Sequence, residues 1–519
     1  MNLKENKKKI LVFYTFLLCA VFTTAETYSK QPYQPAVFLE KERTEKIKNL
    51  SAKIDKMFEE YAKKHHIPGY AFGIMVDGKL AYSGSGGYIN VEKQMPATTK
   101  SMFRIASMTK SFTAMAILKL RDEGKLKLDN PIYLYIPELK KQHLTKDDPE
   151  ITIRNLLNHS AGFPQDDPWA DRQLAATESE LLALIKKGLF FSNSPGSTYE
   201  YSNLAYTMLG YVIKKVTGIS YKEYNAKNIW QPLNMKEATW EFTDVTPSQL
   251  AKGYRWLNSQ LKEEELLHTG IFGAMGGIIT SVESFSQYAA IHQNAWPPRD
   301  DVEKGPIKRS SIREMQQPMN FINLMPKFKY QDSLECPMVN ASGYGLKWVS
   351  DCEKRVYVGH SGGLPGFGSN WFIMPDYGIG VISLANLTYA PAHEVNFNVL
   401  DFIIKEAQLE KMQWPVSQIL EDRKNSLIKL LPNWEQALES NIFAENFFLD
   451  TSVATLQKET RDIFSKAGEI IRVNKMIPEN QLRGYFIIEA KKANIRINFT
   501  LTPQNPPLIQ KFEIKEEVK

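Results

Sequence analysis

Cysteine is scarce in this chain, with three among 519 residues. Cys19 lies in an N-terminal apolar run, so only Cys336 and Cys352, 16 positions apart, remain to pair. A scaffold built from disulfides is excluded, and an ordinary core must carry the stability; 43% hydrophobic and 24% charged residues suit one. Long apolar runs are missing too. The one candidate, Ile10–Ala25, is 16 residues, shorter than the roughly 20 a membrane-spanning helix needs. Basic blocks are absent after residue 25. Lys4, Lys7, Lys8, Lys9 and Glu5 contribute +3 of the formal +6, which leaves the rest near +3 and nothing suited to nucleic acid. No Gly-rich phosphate loop appears. His393-Glu394 lacks a second histidine four residues after the first, and His65-His66 simply precede the Ile67-Pro68-Gly69 turn, so no zinc-protease helix is encoded. No cofactor or metal is expected.

What is present begins with a targeting pattern. Four lysines precede the apolar run, which ends in small residues at Thr23–Ala25, the form of a secretory signal peptide over residues 1–25. Leu18, ahead of Cys19, is too large for a lipoprotein signal. An exported chain, periplasmic or secreted and without a span after cleavage, makes a Cys336–Cys352 disulfide the expectation, with two unpaired thiols as the alternative. Residues 26–42 read as a polar lead, 43–410 as one large domain and 415–519 as a small α+β domain.

Periodicity outlines the fold. Ile47, Leu50, Ile54, Met57, Phe58 and Tyr61 follow helical spacing, and the next stretch alternates and turns at Asp77-Gly78, a hairpin signal. Helical patterns dominate from Ser107 to about Ile291, and strands return near Gly343. Strands at both ends with helices between predict an antiparallel sheet flanked by helices, with an all-helical insert. Alternating segments recur in the last hundred residues.

The chemistry hangs on a spacing that occurs three times. Ser-x-x-Lys is found at Ser107/Lys110, Ser259/Lys262 and Ser426/Lys429, and only the first opens an apolar helix. A serine hydroxyl needs a base. Positions i and i+3 share a helix face, and a lysine packed among apolar residues sheds its proton nearer neutrality. Tyr201-x-Asn203 opens a second apolar helix after Pro195-Gly196; a phenol beside an ammonium is expected to have a depressed pKa and to relay a proton. His360-Ser361-Gly362 opens a late strand pair whose edge suits an extended substrate, and is preferred to His268-Thr269-Gly270. Gly359–Gly363 also fits G-x-S-x-G, but a Pro/Gly loop and a strand follow instead of the helix that motif requires, so Ser361 is not taken as the nucleophile. His159 is expected to hydrogen-bond locally, and loops 165–172 and 294–318 to wall the pocket.

These three elements, in this order, resemble the serine β-lactamase and penicillin-binding-protein superfamily over roughly residues 45–405. The resemblance is to the class C branch, with its DD-peptidases, D-aminopeptidases and esterases. It implies Ser107 as acylated nucleophile, Lys110 and Tyr201 sharing acid–base work, and Asn203 on the substrate amide. It further implies His360, Ser361 and Gly362 along the substrate, and the N–H groups of Ser107 and Gly363 as oxyanion hole. A small-molecule or peptide substrate follows. His360 departs from the lysine usual there; partly charged near neutrality, it predicts activity that changes as pH crosses about 6 to 7. No counterpart of the class A deacylating glutamate is seen. The last hundred residues resemble, weakly, NTF2-like accessory domains.

Overall fold

The computed structural model describes residues 33–331 and 335–517; the expected signal peptide, 1–25, lies outside them. The described residues divide into two compact units, one spanning Gln34–Gln413 and one made of residues 414–517 with Tyr33.

In the larger unit Asp77 and Gly78 both take positive φ, 49° and 75°. That conformation fits a primed two-residue turn, and it folds β1 (Gly69–Val76) back on β2 (Lys79–Asn90). Seven further strands complete the sheet: β3 (Met95–Pro96), β4 (Asn320–Met325), β5 (Met338–Ser342), β6 (Lys347–Ser350), β7 (Val356–Leu364), β8 (Phe367–Met374) and β9 (Ile379–Ala385). Their order is β3-β2-β1-β9-β8-β7-β6-β5-β4, and every pairing is antiparallel. N- and C-terminal strands thus meet at β1–β9, as the order of elements predicts. Helix makes up 34% and strand 25% of the chain, the mixed class expected.

Strands β8 and β9 are buried along their whole length, because helices cover both faces. On one face α1 (Ser51–Lys64) and α5 (Ala392–Glu406) pack, Phe58 stacking on Phe72 at 3.9 Å and Phe397 lying 4.7 Å from Phe372. On the other lie α2 (Thr109–Asp122), α3 (Asn203–Thr217) and α4 (Val282–Gln293). Gly73 is required there, since a Cβ would stand 2.7 Å from Val282. A disulfide joins Cys336 to Cys352, tying the approach to β5 to the turn after β6.

The smaller unit is an antiparallel sheet with helices Gln418–Leu430 and Val453–Ala467. Strands Arg483–Ala490 and Asn494–Leu501 alternate buried and partly exposed residues, so one face packs on a core containing Trp434, Phe443 and Leu456.

Candidate active site

The helix start anticipated at Ser107 is a short 3-10 turn, Ala106–Met108, feeding α2. Ala106 has φ 50°, unusual for a residue with a side chain, and this bends the chain just ahead of Ser107. α2 is apolar around nearly its whole circumference, so it is buried on all sides and carries Lys110 into the core with it. Lys110 is 0% exposed.

The Lys110 ammonium donates three hydrogen bonds: to Ser107 Oγ at 3.0 Å, Asn203 Oδ1 at 2.6 Å and the Met275 carbonyl at 2.9 Å. Burial pushes its pKa down to about 8, and Asp167, Asp171 and Asp166 resist that fall. The amide of Asn203 is oriented from its other end, where Nδ2 donates to Asp167 Oδ1 at 3.1 Å. Asp166 caps the same helix: its carboxylate accepts from the N–H groups of Asn203 at 2.7 Å and Leu204 at 2.9 Å, beside the Ser202 side-chain cap on Ala205. Asp171 is buried, accepts from Tyr389 Oη at 2.9 Å and is pushed up to about 7 by burial. These three carboxylates were not singled out from the sequence, although their loop was. Loop 294–318 behaves otherwise: its Ser311 and Glu314 bond Arg121 at the far end of α2.

Two electrostatic expectations are corrected. The Tyr201 ring lies 4.9 Å from Lys110 Nζ and its hydroxyl hydrogen-bonds with Ser107. Yet its pKa is raised well above the ordinary phenol value, because burial and Asp167 outweigh the stabilisation from Ser107. His360 is buried rather than partly charged: desolvation, then Lys110 and Lys347, lower it to about 3. Its Nδ1 faces the Ser361 carbonyl, which can only accept, so the proton sits on Nδ1. His159 bonds across loops, not locally: its Nδ1 accepts from Ser202 N–H at 3.2 Å.

His360, Ser361, Gly362 and Gly363 lie on β7. Gly362 meets the nucleophile turn so closely that a Cβ would stand 2.2 Å from the Ile105 carbonyl oxygen, which explains a glycine there. Ser361 Oγ accepts from Asn370 Nδ2 at 3.0 Å, and Asn396 in turn bonds Asn370 Oδ1 at 2.6 Å. The ring of Tyr389 packs against Gly363. Away from this cluster, His268 bonds Glu241 and Ser259 sits in an exposed hairpin turn.

Residues 54–402 match the family model described as Beta-lactamase. The Staphylococcus aureus (strain MW2) protein flp is 28% identical over 343 residues, 65% of this chain and 64% of flp, so the match spans somewhat less than two thirds of that relative. Penicillin-binding protein 4* of Bacillus subtilis (strain 168) is 24% identical over 475 residues, covering 87% of this chain and 94% of that protein. The octameric penicillin-binding protein homologue from Pyrococcus abyssi shares the fold, with a TM-score of 0.60 at 22% identity over 88% of this chain and 91% of that one. With the family model covering well over half its length, the chain belongs to the Beta-lactamase family.

Proposed function

We propose that this chain is an exported serine hydrolase that is acylated on Ser107 and hydrolyses an amide or ester, foremost in cell-wall-type or D-amino-acid peptides. The observation that carries the reading is the bonding of Lys110. As a neutral amine it has two N–H groups and one lone pair. Asn203 Oδ1 and the Met275 carbonyl only accept, so they take both hydrogens, and the lone pair is left for Ser107 at 3.0 Å. With a pKa of about 8, about a tenth of the population is the free base at pH 7.

Ser107 Oγ attacks the substrate carbonyl carbon as its proton moves to Lys110 Nζ. The N–H groups of Ser107 and Gly363 hold the oxyanion. The bond to the leaving nitrogen or oxygen then breaks as that group takes a proton from the Lys110–Tyr201 pair, Tyr201 acting as the protonated phenol. Water reverses these steps and frees the serine. Asn203 reaches the substrate amide, and His360, Ser361 and Gly362 flank the substrate along β7. Residues 43–410 carry this chemistry, and 415–519 are assigned an accessory role. The basic-then-apolar N-terminus and the Cys336–Cys352 disulfide support export. A second reading, hydrolysis of uncharged esters, is favoured by the neutral His360, which supplies no cation for a substrate carboxylate.

The test is adduct mapping with a fluorophosphonate and, separately, a labelled penicillin. A fluorophosphonate label on Ser107 and loss of turnover in Ser107→Ala are expected; a label elsewhere, or turnover retained in that variant, overturns the reading. A lasting penicilloyl adduct with no ester or amide turnover would make the chain a penicillin sensor instead.

A further inference from the structure

The end of the β7–β8 ribbon is pinched between two elements. Consecutive residues of a strand project to opposite faces. On one face of β7, a Cβ at Gly362 would meet the Ile105 carbonyl and Ala106, in the turn that carries Ser107. On the other, a Cβ at Gly363 would stand 2.6 Å from the Tyr389 ring. Strand β8 repeats the arrangement. Ser369, opposite Gly362, donates from Oγ to the Ile105 carbonyl at 2.8 Å, while Gly368, opposite Gly363, abuts the backbone of Ala390. The nucleophile turn thus lies on one side of the ribbon and segment 388–390 on the other. How closely Gly363 approaches Ser107 is set from behind by Tyr389.

Its own packing does not explain why Tyr389 sits there. It lies between β9 and α5 at φ 54°, a conformation that bulky side chains rarely adopt. Its side chain is 44% exposed, so core burial is not what fixes it. Instead its N–H donates to the Phe367 carbonyl at 3.1 Å, and Thr388 Oγ1 accepts from the Gly366 N–H at 2.7 Å, which latches the segment to the hairpin tip. Its hydroxyl donates to Asp171 Oδ2 at 2.9 Å. Asp171 is 2% exposed, and its other oxygen has no hydrogen-bond partner among the described residues. A buried carboxyl with one oxygen unanswered is unfavourable, and the Tyr389 hydroxyl offsets part of that penalty. Asp171 also follows directly on the loop whose Asp166 and Asp167 orient Asn203 and, through it, Lys110. One stretch of chain therefore steadies the base through Asn203 and backs Gly363 through Tyr389.

We propose that Tyr389, anchored by Asp171, is a positioning residue that holds the Gly363 N–H against the nucleophile turn and so sets the geometry of the oxyanion hole. The proposal rests on acylation of Ser107 with Gly363 as an oxyanion donor.

The test follows fluorophosphonate labelling at about pH 9.5, above the Lys110 pKa of about 8, so that a charge lost at Asp171 does not act through the base. The end point counts intact sites and the rate is taken per site, so partial unfolding does not mimic the effect. Tyr389→Ala should label Ser107 to the wild-type end point but about 10- to 100-fold more slowly, as a displaced oxyanion donor would. Tyr389→Phe and Asp171→Leu cut the bond while keeping side-chain bulk, and each should slow labelling about 3- to 10-fold. Their double variant should be no slower than the slower single, and Asp171→Asn, which keeps an acceptor, should lose less than Asp171→Leu. Phenylboronic acid, whose tetrahedral adduct on Ser107 places an oxygen in the same hole, should lose affinity by the same factors. Where Tyr389→Ala does not fold, the two bond-cutting variants and their double decide the matter. Rates within about 2-fold of wild type, single effects that multiply in the double variant, or slower labelling with unchanged boronate affinity overturns the proposal. An adduct away from Ser107 overturns the acylation reading and this one together, whereas an adduct on Ser107 at an unaltered rate overturns this one alone.

Discussion

Replacing Asp167 by asparagine should move the pH dependence of acylation in a direction the structure dictates. Asp167 Oδ1 accepts from Asn203 Nδ2, and Asn203 Oδ1 accepts from Lys110. Asparagine preserves an acceptor oxygen at that point and removes only the charge. Lys110 must be neutral to take the serine proton, so the rate rises with pH through its pKa of about 8 and levels off above it. Asp167 is foremost among the charges that hold that value up against desolvation. A carboxylate two hydrogen bonds away, roughly 6 Å, interacts with an ammonium by about 3 kcal/mol at an effective dielectric near 20. Asp167 is half-exposed, so solvent screening takes about half of this, leaving a downward movement of about 1 pH unit. The assay is the second-order rate of fluorophosphonate labelling between about pH 5.5 and 9.5, which reports the free enzyme. A rising limb that stays in place, or moves to higher pH, refutes the electrostatic link between Asp167 and the base. Asp167→Leu adds a second effect, since it frees the Asn203 amide to turn and should lower the plateau by about 10-fold.

The other predictions concern His360, Lys110 and the second core. His360, held neutral by burial down to about pH 3, should leave no inflection between about pH 6 and 7; one that disappears in His360→Gln would contradict the buried neutral ring. Lys110→Met should lower acylation by about 10²- to 10⁴-fold, as loss of a general base does, and a fall of less than 5-fold would shift that role to Tyr201. Arg355 is buried between Asp351 at 2.6 Å and Asp401 at 2.8 Å. Arg355→Met should destabilise the larger unit by about 3–5 kcal/mol, because buried Asp351 loses its cation while Asp401 keeps only Lys405 at 2.8 Å. Denaturant unfolding checks it, and a loss below about 1 kcal/mol would mean that Tyr330 and the backbone already satisfy Asp351, and Lys405 Asp401.

Much of the fold was legible because its signals are local. Asp77-Gly78 specifies its own turn through two backbone angles. The spacing of Ile54, Phe58 and Tyr61 specifies the buried stripe of α1. The grouping of Ser107, Lys110, Tyr201, Asn203 and β7 was legible as an ordered set. The acidic loop was not, because Asp166 acts on Asn203 and Leu204, 37 and 38 residues away. Read alone, Asp166-Asp167-Pro168 is only a turn with a proline near a helix start. The errors over Tyr201 and His360 share one cause. A sequence shows which charges are near in the chain, but burial is a property of the fold, and here burial is the first cause of both shifts. That same burial bears on a choice the motifs left open. Desolvation raises the pKa of a phenol and lowers that of an ammonium, so it moves the Tyr201 pKa away from pH 7 and brings that of Lys110 toward it. Two groups that look interchangeable beside Ser107 are thereby separated by the core around them, and the amine is the one whose free base is populated at neutral pH.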